Sequence, residues 1–277
     1  AVFGICAAYC AARALYGRRA GILSAAFLAT FLLYYALGQI VTLDMAVSVF
    51  ISAAMFCFII ALKSSGARRG ILTLGFFAFC ALAVMTKGLI GVLIPGATIF
   101  IYALLIGPLE FLKSLKKSDI IWILAGVAVF LAIALPWHFL AAAANPPYSG
   151  AEGIVSKNPE GQGFFWYYII HEHILRFIDA DTSNRAQPFW FFFVIVPVGL
   201  IPWIVFLPAV VRRSIADGWR ALRRENPELI FFWVWIAFVV LFFSISRSKL
   251  VPYIIPVYPA FAILFGEWLS KNWSGKI

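Results

Sequence analysis

Two short strings combine residue types that suit work on a phosphate-bearing substrate. HEHILRF at 171–177 includes Arg176, and SRSKLVPY at 246–253 brings together Arg247, Lys249 and Tyr253. Guanidinium and ammonium groups neutralise phosphate charge, and a phenol can add a hydrogen bond. The two strings therefore predict a phosphate-binding rim. The alternative is structural, with a salt-bridge cluster at the first string and charges that flank a membrane at the second.

Two further ionisable residues stand at the edges of apolar stretches. Asp44 follows the turn GQIVTL, and Lys87 lies in MTKGLIG between two apolar runs. A carboxylate at a helix start can cap the helix, but it can also serve as a general base or a metal ligand. Lys87 can extend towards the membrane surface or contact an anion. Both interpretations stay open for each residue.

The histidines of HEHILRF raise the question of a metal. His171 and His173 are two residues apart, which is not the spacing of an HExxH zinc helix. A single imidazole with carboxylates from elsewhere could still hold a divalent ion, zinc or magnesium. His171 is therefore a candidate metal ligand, and Glu172 is a second candidate. On an α-helix Glu172 would also pair with Arg176, four residues later.

Composition identifies the elements that position these residues. The chain has 277 residues, of which 64 % are hydrophobic and 12 % charged, whereas soluble domains have about 25 % charged residues. A membrane-spanning helix needs about 20 apolar residues. The sequence therefore predicts an all-α, polytopic integral-membrane bundle of about eight or nine helices. The predicted spans are 1–15, 20–38, 44–62, 71–85, 89–106, 121–143, 190–210, 229–244 and 252–269.

The whole chain, 1–277, is predicted to be one membrane domain, with the long loop 144–189 inserted between spans. Loops alternate between rich and poor in Lys and Arg, and one alternate set holds 16 of the 22. An excess of Lys and Arg marks cytoplasmic loops, so the candidate site residues lie on the opposite, outer face. The net charge of +10 then reflects topology and contact with membrane lipids, not nucleic-acid binding.

A site on the outer face narrows the chemistry. Nucleotide sugars are cytoplasmic, so an activated sugar reaches this face on a polyprenyl phosphate. Cations would neutralise the leaving phosphate while a carboxylate deprotonates an acceptor hydroxyl. The alternative is a transporter or flippase of a lipid-linked anion, which ionisable groups at the bilayer midplane would favour. Here the charges lie at one edge, which favours the transferase.

Several strings also resemble one known family. They are TLDMA, MTKGLIG, LPWHF, FFWYYIIHEHILRF, QPFWFFFVIVPVGLIPW and SRSKLVPYIIPVYP. In this order they are similar to the aminoarabinose transferases and their relatives in the bacterial protein-mannosyltransferase superfamily, which are GT-C membrane glycosyltransferases. The resemblance implies transfer of a sugar from undecaprenyl phosphate to lipid A, a protein or another periplasmic acceptor, at the bacterial inner membrane.

The resemblance also implies roles for individual residues. Asp44 matches the second membrane-edge aspartate of the family, which implies a catalytic role, and His171 matches a metal-contacting histidine. The residues expected near the sugar donor's phosphate are Arg176, Lys249 and Tyr253, with Arg247 and Lys87 as further cations on that face. The first outer loop, with the principal acidic residue of the family, and the C-terminal part are expected to lie outside this chain, which would not be active alone.

Overall fold

The computed structural model describes residues 1–147, 163–175, 186–216 and 218–273, which are almost entirely helical. The helices are Val2–Tyr16 (α1), Arg18–Thr30 (α2), Leu32–Gly38 (α3), Leu43–Leu62 (α4), Gly66–Lys87 (α5), Ile90–Ile106 (α6), Pro108–Ser114 (α7), Lys117–Ala144 (α8), Gly163–Phe165 (α9), Phe191–Gly199 (α10), Leu207–Ile215 (α11), Gly218–Glu225 (α12), Pro227–Ile245 (α13) and Val257–Asn272 (α14). A π-helix, Trp166–Leu175, continues α9, and short 3-10 turns cover Trp203–Phe206 and Val251–Ile254.

The chain is an all-α, multi-pass membrane protein, as the composition predicts. Four of the described helices are long and apolar enough to cross a membrane, or up to seven if each bent pair of helices is one span. The two remaining predicted spans correspond to α1 and α14. Much of α8 is apolar and exposed, including Leu124 at 65 % and Leu135 at 56 %. Such a surface is suited to contact with lipid chains.

One predicted span was too short. The apolar run 71–85 begins just after Arg69, which limits it on the N-terminal side. The helix α5 nevertheless begins at Gly66 and has 22 residues, a length of roughly 33 Å. The helix continues through Arg69 because that guanidinium is buried and paired. Its Nε and Nη2 donate to the two carboxylate oxygens of Asp119 on α8, at 2.9 and 2.6 Å. A paired, hydrogen-bonded charge is tolerated where an isolated one is not.

Two predicted spans are bent. Within 20–38 the chain turns by 67° between α2 and α3, where Phe31 has an extended backbone. Within 190–210 it turns by 102° between α10 and the segment Trp203–Ile215. The apolar pattern continues across both breaks, so composition alone does not reveal them.

The bundle has two chemically different ends. The start of α4, the end of α5, the π-helix and the loop 246–256 lie together at what we call the site end. The opposite, basic end contains the Arg69–Asp119 pair and an ion pair of Lys63 with Glu228, 2.7 Å apart. Between them, aromatic side chains such as Phe56 and Trp235 pack edge to face with centroids 5.7 Å apart, which fixes the helices relative to one another.

Candidate functional site

Three of the predicted residues meet at the site end. The Lys87 ammonium contacts the Asp44 carboxylate in an ion pair that joins the end of α5 to the start of α4. The same ammonium lies 4.2 Å from the centre of the Tyr253 ring, a cation–π geometry. The Asp44 and Lys87 side chains are 18 % and 27 % exposed. The pair is therefore partly shielded but still reachable from outside the protein.

The helix-cap interpretation of Asp44 is not needed, because another residue caps α4. Thr42 is the N-cap, and its hydroxyl accepts a hydrogen bond from the backbone N–H of Met45 at 3.3 Å. Asp44 lies within the first turn, where the helix dipole favours a carboxylate. Its side chain is directed to Lys87, so the carboxylate is held by a cation that could instead bind an anion.

A small cavity lies beside this pair. It has a volume of about 10 Å³ and is lined by both charged residues, by Tyr253 and by apolar side chains. This space is comparable to one water molecule. A phosphate group is larger than this space, so it would fit only after the Asp44–Lys87 pair separates or the Tyr253 ring moves.

Lys249 occupies a different position from Lys87. Its side chain is buried, and its ammonium donates to the carbonyl of Gln187 at 2.9 Å and to the carbonyl of Ser246. Burial lowers the pKa of this ammonium below its usual value. The contacts pin the chain before α10 to the loop 246–250, where Ala186 and Ser248 also form an isolated bridge.

Lys249 and Arg247 border a larger cavity. Its volume is about 310 Å³, and its lining includes Gln187, Phe189 and Ser246. Arg247 is exposed at this cavity. An ammonium has three hydrogen-bond donors, and the two carbonyls account for two of those of Lys249. The arrangement can therefore present positive charge to an anion in the larger cavity. Arg176, the remaining predicted phosphate ligand, lies outside the described residues.

The described part of the HEHILRF string, residues 171–175, does not lie on an α-helix. Residues 166–175 form a π-helix, in which partners are five residues apart. The Tyr167 hydroxyl donates to Glu172 at 3.0 Å, and the Nδ1–H of His173 donates to the carbonyl of Tyr168. Both contacts join residues i and i+5. The aromatic and histidine side chains thus stabilise the wider turn, which a four-residue periodicity does not predict.

The predicted metal ligands do not complete a metal site among the described residues. Nδ1 of His171 is buried and has no hydrogen-bond partner within the described part of the chain, and it lies 3.4 Å from a carboxylate oxygen of Glu172. Closed structural zinc sites use four ligands, and no group of three or more His, Cys, Asp or Glu occurs in the described ranges. These two residues alone do not fit a bound ion, so no catalytic step is assigned to a metal.

The sequence interpretation missed a hydrogen-bonded group next to Lys87. Nε2 of His173 accepts a hydrogen bond from the backbone N–H of Leu89 at 3.0 Å. The Tyr168 hydroxyl lies 3.1 Å from Nε2 of His138 on α8. His138 lies within LPWHF, a string that carried the family resemblance without suggesting any role. Two features of the sequence could have found this group: the aromatic run before HEHILRF, and Gly88 directly after Lys87.

Comparisons with known proteins agree on one group of relatives. Residues 1–139 match the model of the dolichyl-phosphate-mannose-protein mannosyltransferase family. The undecaprenyl phosphate-alpha-4-amino-4-deoxy-L-arabinose arabinosyl transferase of Pectobacterium atrosepticum is 30 % identical over 91 % of this chain and 40 % of its own length. Arabinosyl transferase 2 of Proteus mirabilis is 32 % identical over 94 % of this chain and 42 % of its own length.

A solved structure is similar over nearly the whole chain. It is the crystal structure of ArnT from Cupriavidus metallidurans bound to undecaprenyl phosphate, with 30 % identity and a TM-score of 0.77. The similarity covers 98 % of this chain and 44 % of that protein. The chain thus spans less than half the length of the relatives it matches.

Proposed function

The chain belongs to the dolichyl-phosphate-mannose-protein mannosyltransferase family, and on that premise we propose that its protein transfers a sugar from undecaprenyl phosphate to lipid A. Relatives named as undecaprenyl phosphate-alpha-4-amino-4-deoxy-L-arabinose arabinosyl transferases match about nine-tenths of the chain, and the similar ArnT structure contains undecaprenyl phosphate. The observation that carries the proposal is the Asp44–Lys87 pair under Tyr253. The setting we propose is the bacterial inner membrane, with the site end in the periplasm.

We assign Lys87 the first contact with the sugar donor. Its ammonium is the cation most directly joined to a candidate base. The donor's phosphate diester carries one negative charge, as the Asp44 carboxylate does, and it gains charge as the bond to the sugar breaks. A phosphate that enters the site would therefore compete with Asp44 for Lys87. Separation of the pair would bind the donor and release the carboxylate in a single event.

Asp44 then acts as the general base. An acceptor hydroxyl attacks the anomeric carbon, so that a new C–O bond forms as the bond to the phosphate oxygen breaks. The hydroxyl proton goes to the Asp44 carboxylate, and the bonding electrons leave with undecaprenyl phosphate. Direct displacement inverts the anomeric configuration. General base catalysis of this kind contributes about 10²- to 10⁴-fold to a rate.

We propose that the remaining cations form a second phosphate-binding group. Lys249 and Arg247 present positive charge at the neighbouring 310 Å³ cavity, and Arg176 is expected to join them. Preorganised cations at a leaving phosphate stabilise the transition state because their orientation needs no change during reaction. We propose that they hold the leaving phosphate after Lys87 has engaged it.

The test is transfer by the full-length protein in bacterial inner-membrane vesicles. Undecaprenyl phosphate that carries labelled 4-amino-4-deoxy-L-arabinose is offered with lipid A or with a periplasmic protein. We expect labelled lipid A with inverted anomeric configuration, and loss of labelling in Asp44→Asn. Labelled protein in place of lipid A would refute lipid A as the acceptor. Absence of any transfer would refute the proposed transferase function.

A further inference from the structure

The turn that presents Lys87 is held by a residue from a different segment. Lys87 ends α5, Gly88 and Leu89 form the connection, and α6 begins at Ile90. The first N–H groups of a helix have no partner within the helix. At α6 one such group, the N–H of Leu89, donates to Nε2 of His173 at 3.0 Å. An imidazole 84 residues away in sequence thus caps this helix.

The hydrogen bonds of His173 fix the tautomer of its ring. The short contact of Nδ1 with the carbonyl of Tyr168 requires that Nδ1 carries the proton. Nε2 is then unprotonated and free to accept from Leu89. The ring of Tyr168 packs against that of His173 with centroids 4.9 Å apart. Its hydroxyl is directed to His138, which ties this segment to α8.

Gly88 shows how tightly the turn and the imidazole fit. Its φ is +79°, a backbone conformation that favours glycine. A Cβ at this position would lie 2.2 Å from Nε2 of His173 and 3.1 Å from the hydroxyl of Tyr168. Both groups therefore lie directly on the backbone next to Lys87. Any residue other than glycine would push the imidazole and the turn apart.

We propose that His173 is a positioning residue that holds the Lys87–Gly88–Leu89 turn so that Lys87 can receive the phosphate of the sugar donor. The inference rests on the proposed function and adds a residue to it. His173 acts through the backbone of the turn, at the N–H of Leu89. It also makes the π-helix, which lies within the segment 144–189, part of the phosphate site.

The test measures binding of undecaprenyl phosphate to the purified full-length protein, independently of sugar transfer. In His173→Ala the turn loses its anchor, and we expect binding to weaken about three- to tenfold, the effect of one lost hydrogen bond. His173→Gln retains an acceptor for the Leu89 N–H and should recover most of the affinity. Tyr167→Phe is the matched control, because it removes a hydrogen bond of the same π-helix without touching the turn.

A double substitution separates positioning from general loss of stability. Gly88→Ala should weaken binding strongly in the native background, where the new methyl group meets His173. In the His173→Ala background that collision is gone, so the same substitution should weaken binding less. Additive effects of the two substitutions would overturn the inference, as would equal affinity of His173→Ala and the native protein. Failure of the native protein to bind undecaprenyl phosphate would instead refute the proposed function.

Discussion

Replacement of Lys87 by Gln tests the phosphate contact at the centre of the site. In the full-length protein this substitution removes the positive charge but keeps a polar side chain of similar length. Loss of one preorganised group at a developing negative charge costs about 2.7–4 kcal/mol, or 10²- to 10³-fold in turnover. The cation–π contact with Tyr253, at 4.2 Å, is lost as well and contributes about 0.5–2 kcal/mol.

The same substitution also affects folding, which the assay must separate from catalysis. Asp44 would lose its partner while only 18 % exposed. Removing one partner costs about 3–5 kcal/mol in a buried pair, and an exposed pair is worth about 0–1 kcal/mol. This partly exposed pair should fall between those limits. Transfer is therefore measured in membrane vesicles and normalised to folded protein, as judged by size-exclusion chromatography after extraction.

Two further variants complete this experiment. Lys87→Arg keeps the charge, so it should retain more transfer than Lys87→Gln, although its planar group does not reproduce the geometry of an ammonium. Lys63→Gln is the matched control: Lys63 also pairs with a carboxylate, Glu228, but at the basic end. It should retain native turnover per folded protein. Native turnover in Lys87→Gln would refute the role of this cation.

Four other predictions concern the rest of the chain. In a full-length background without native cysteines, Ser65→Cys should react with impermeant thiol reagents only from the cytoplasmic side. Labelling exclusively from the outside would refute the predicted topology. Asp119→Ala should destabilise the protein by about 3–5 kcal/mol, because it leaves the buried Arg69 unpaired; unchanged thermal stability would contradict this. Lys249→Met should reduce transfer and weaken the contact between 186–190 and 246–250, which would be measured as faster hydrogen exchange in these segments. Native rates of exchange and transfer would refute both roles of Lys249. If a divalent ion binds with ligands beyond the described residues, His171→Ala and chelation should each lower the rate of transfer. Transfer that survives both would show that the reaction needs no metal at His171.

The fold could be predicted from the sequence because long apolar runs and alternating basic loops indicate the membrane-spanning helices. All the predicted spans have a helical counterpart in the structure. The errors have physical causes. The span 71–85 was drawn too short because Arg69 is buried with a partner 50 residues away, which local hydropathy cannot register. The bends at Phe31 and before Trp203 interrupt no apolar pattern.

The site was accessible only in part. Residue type and membrane-edge position identified Asp44, Lys87 and Tyr253, which the structure brings together. Their pairing is a long-range contact and could not be deduced from spacing. His173 was passed over in favour of His171, because its function depends on a backbone N–H of another segment. The hydrogen bond itself leaves no pattern in a single sequence, and only the neighbouring aromatic run and Gly88 indicate that the two segments meet.

Competition between Asp44 and the donor phosphate for Lys87 is tested most directly by measurement of undecaprenyl phosphate affinity in full-length Asp44→Asn. This substitution removes the carboxylate that holds Lys87 and leaves the ammonium for the phosphate. We expect the variant to bind undecaprenyl phosphate more tightly than the native protein while its sugar transfer falls about 10²- to 10⁴-fold. Weaker binding by Asp44→Asn, or transfer at the native rate, would contradict the proposed mechanism.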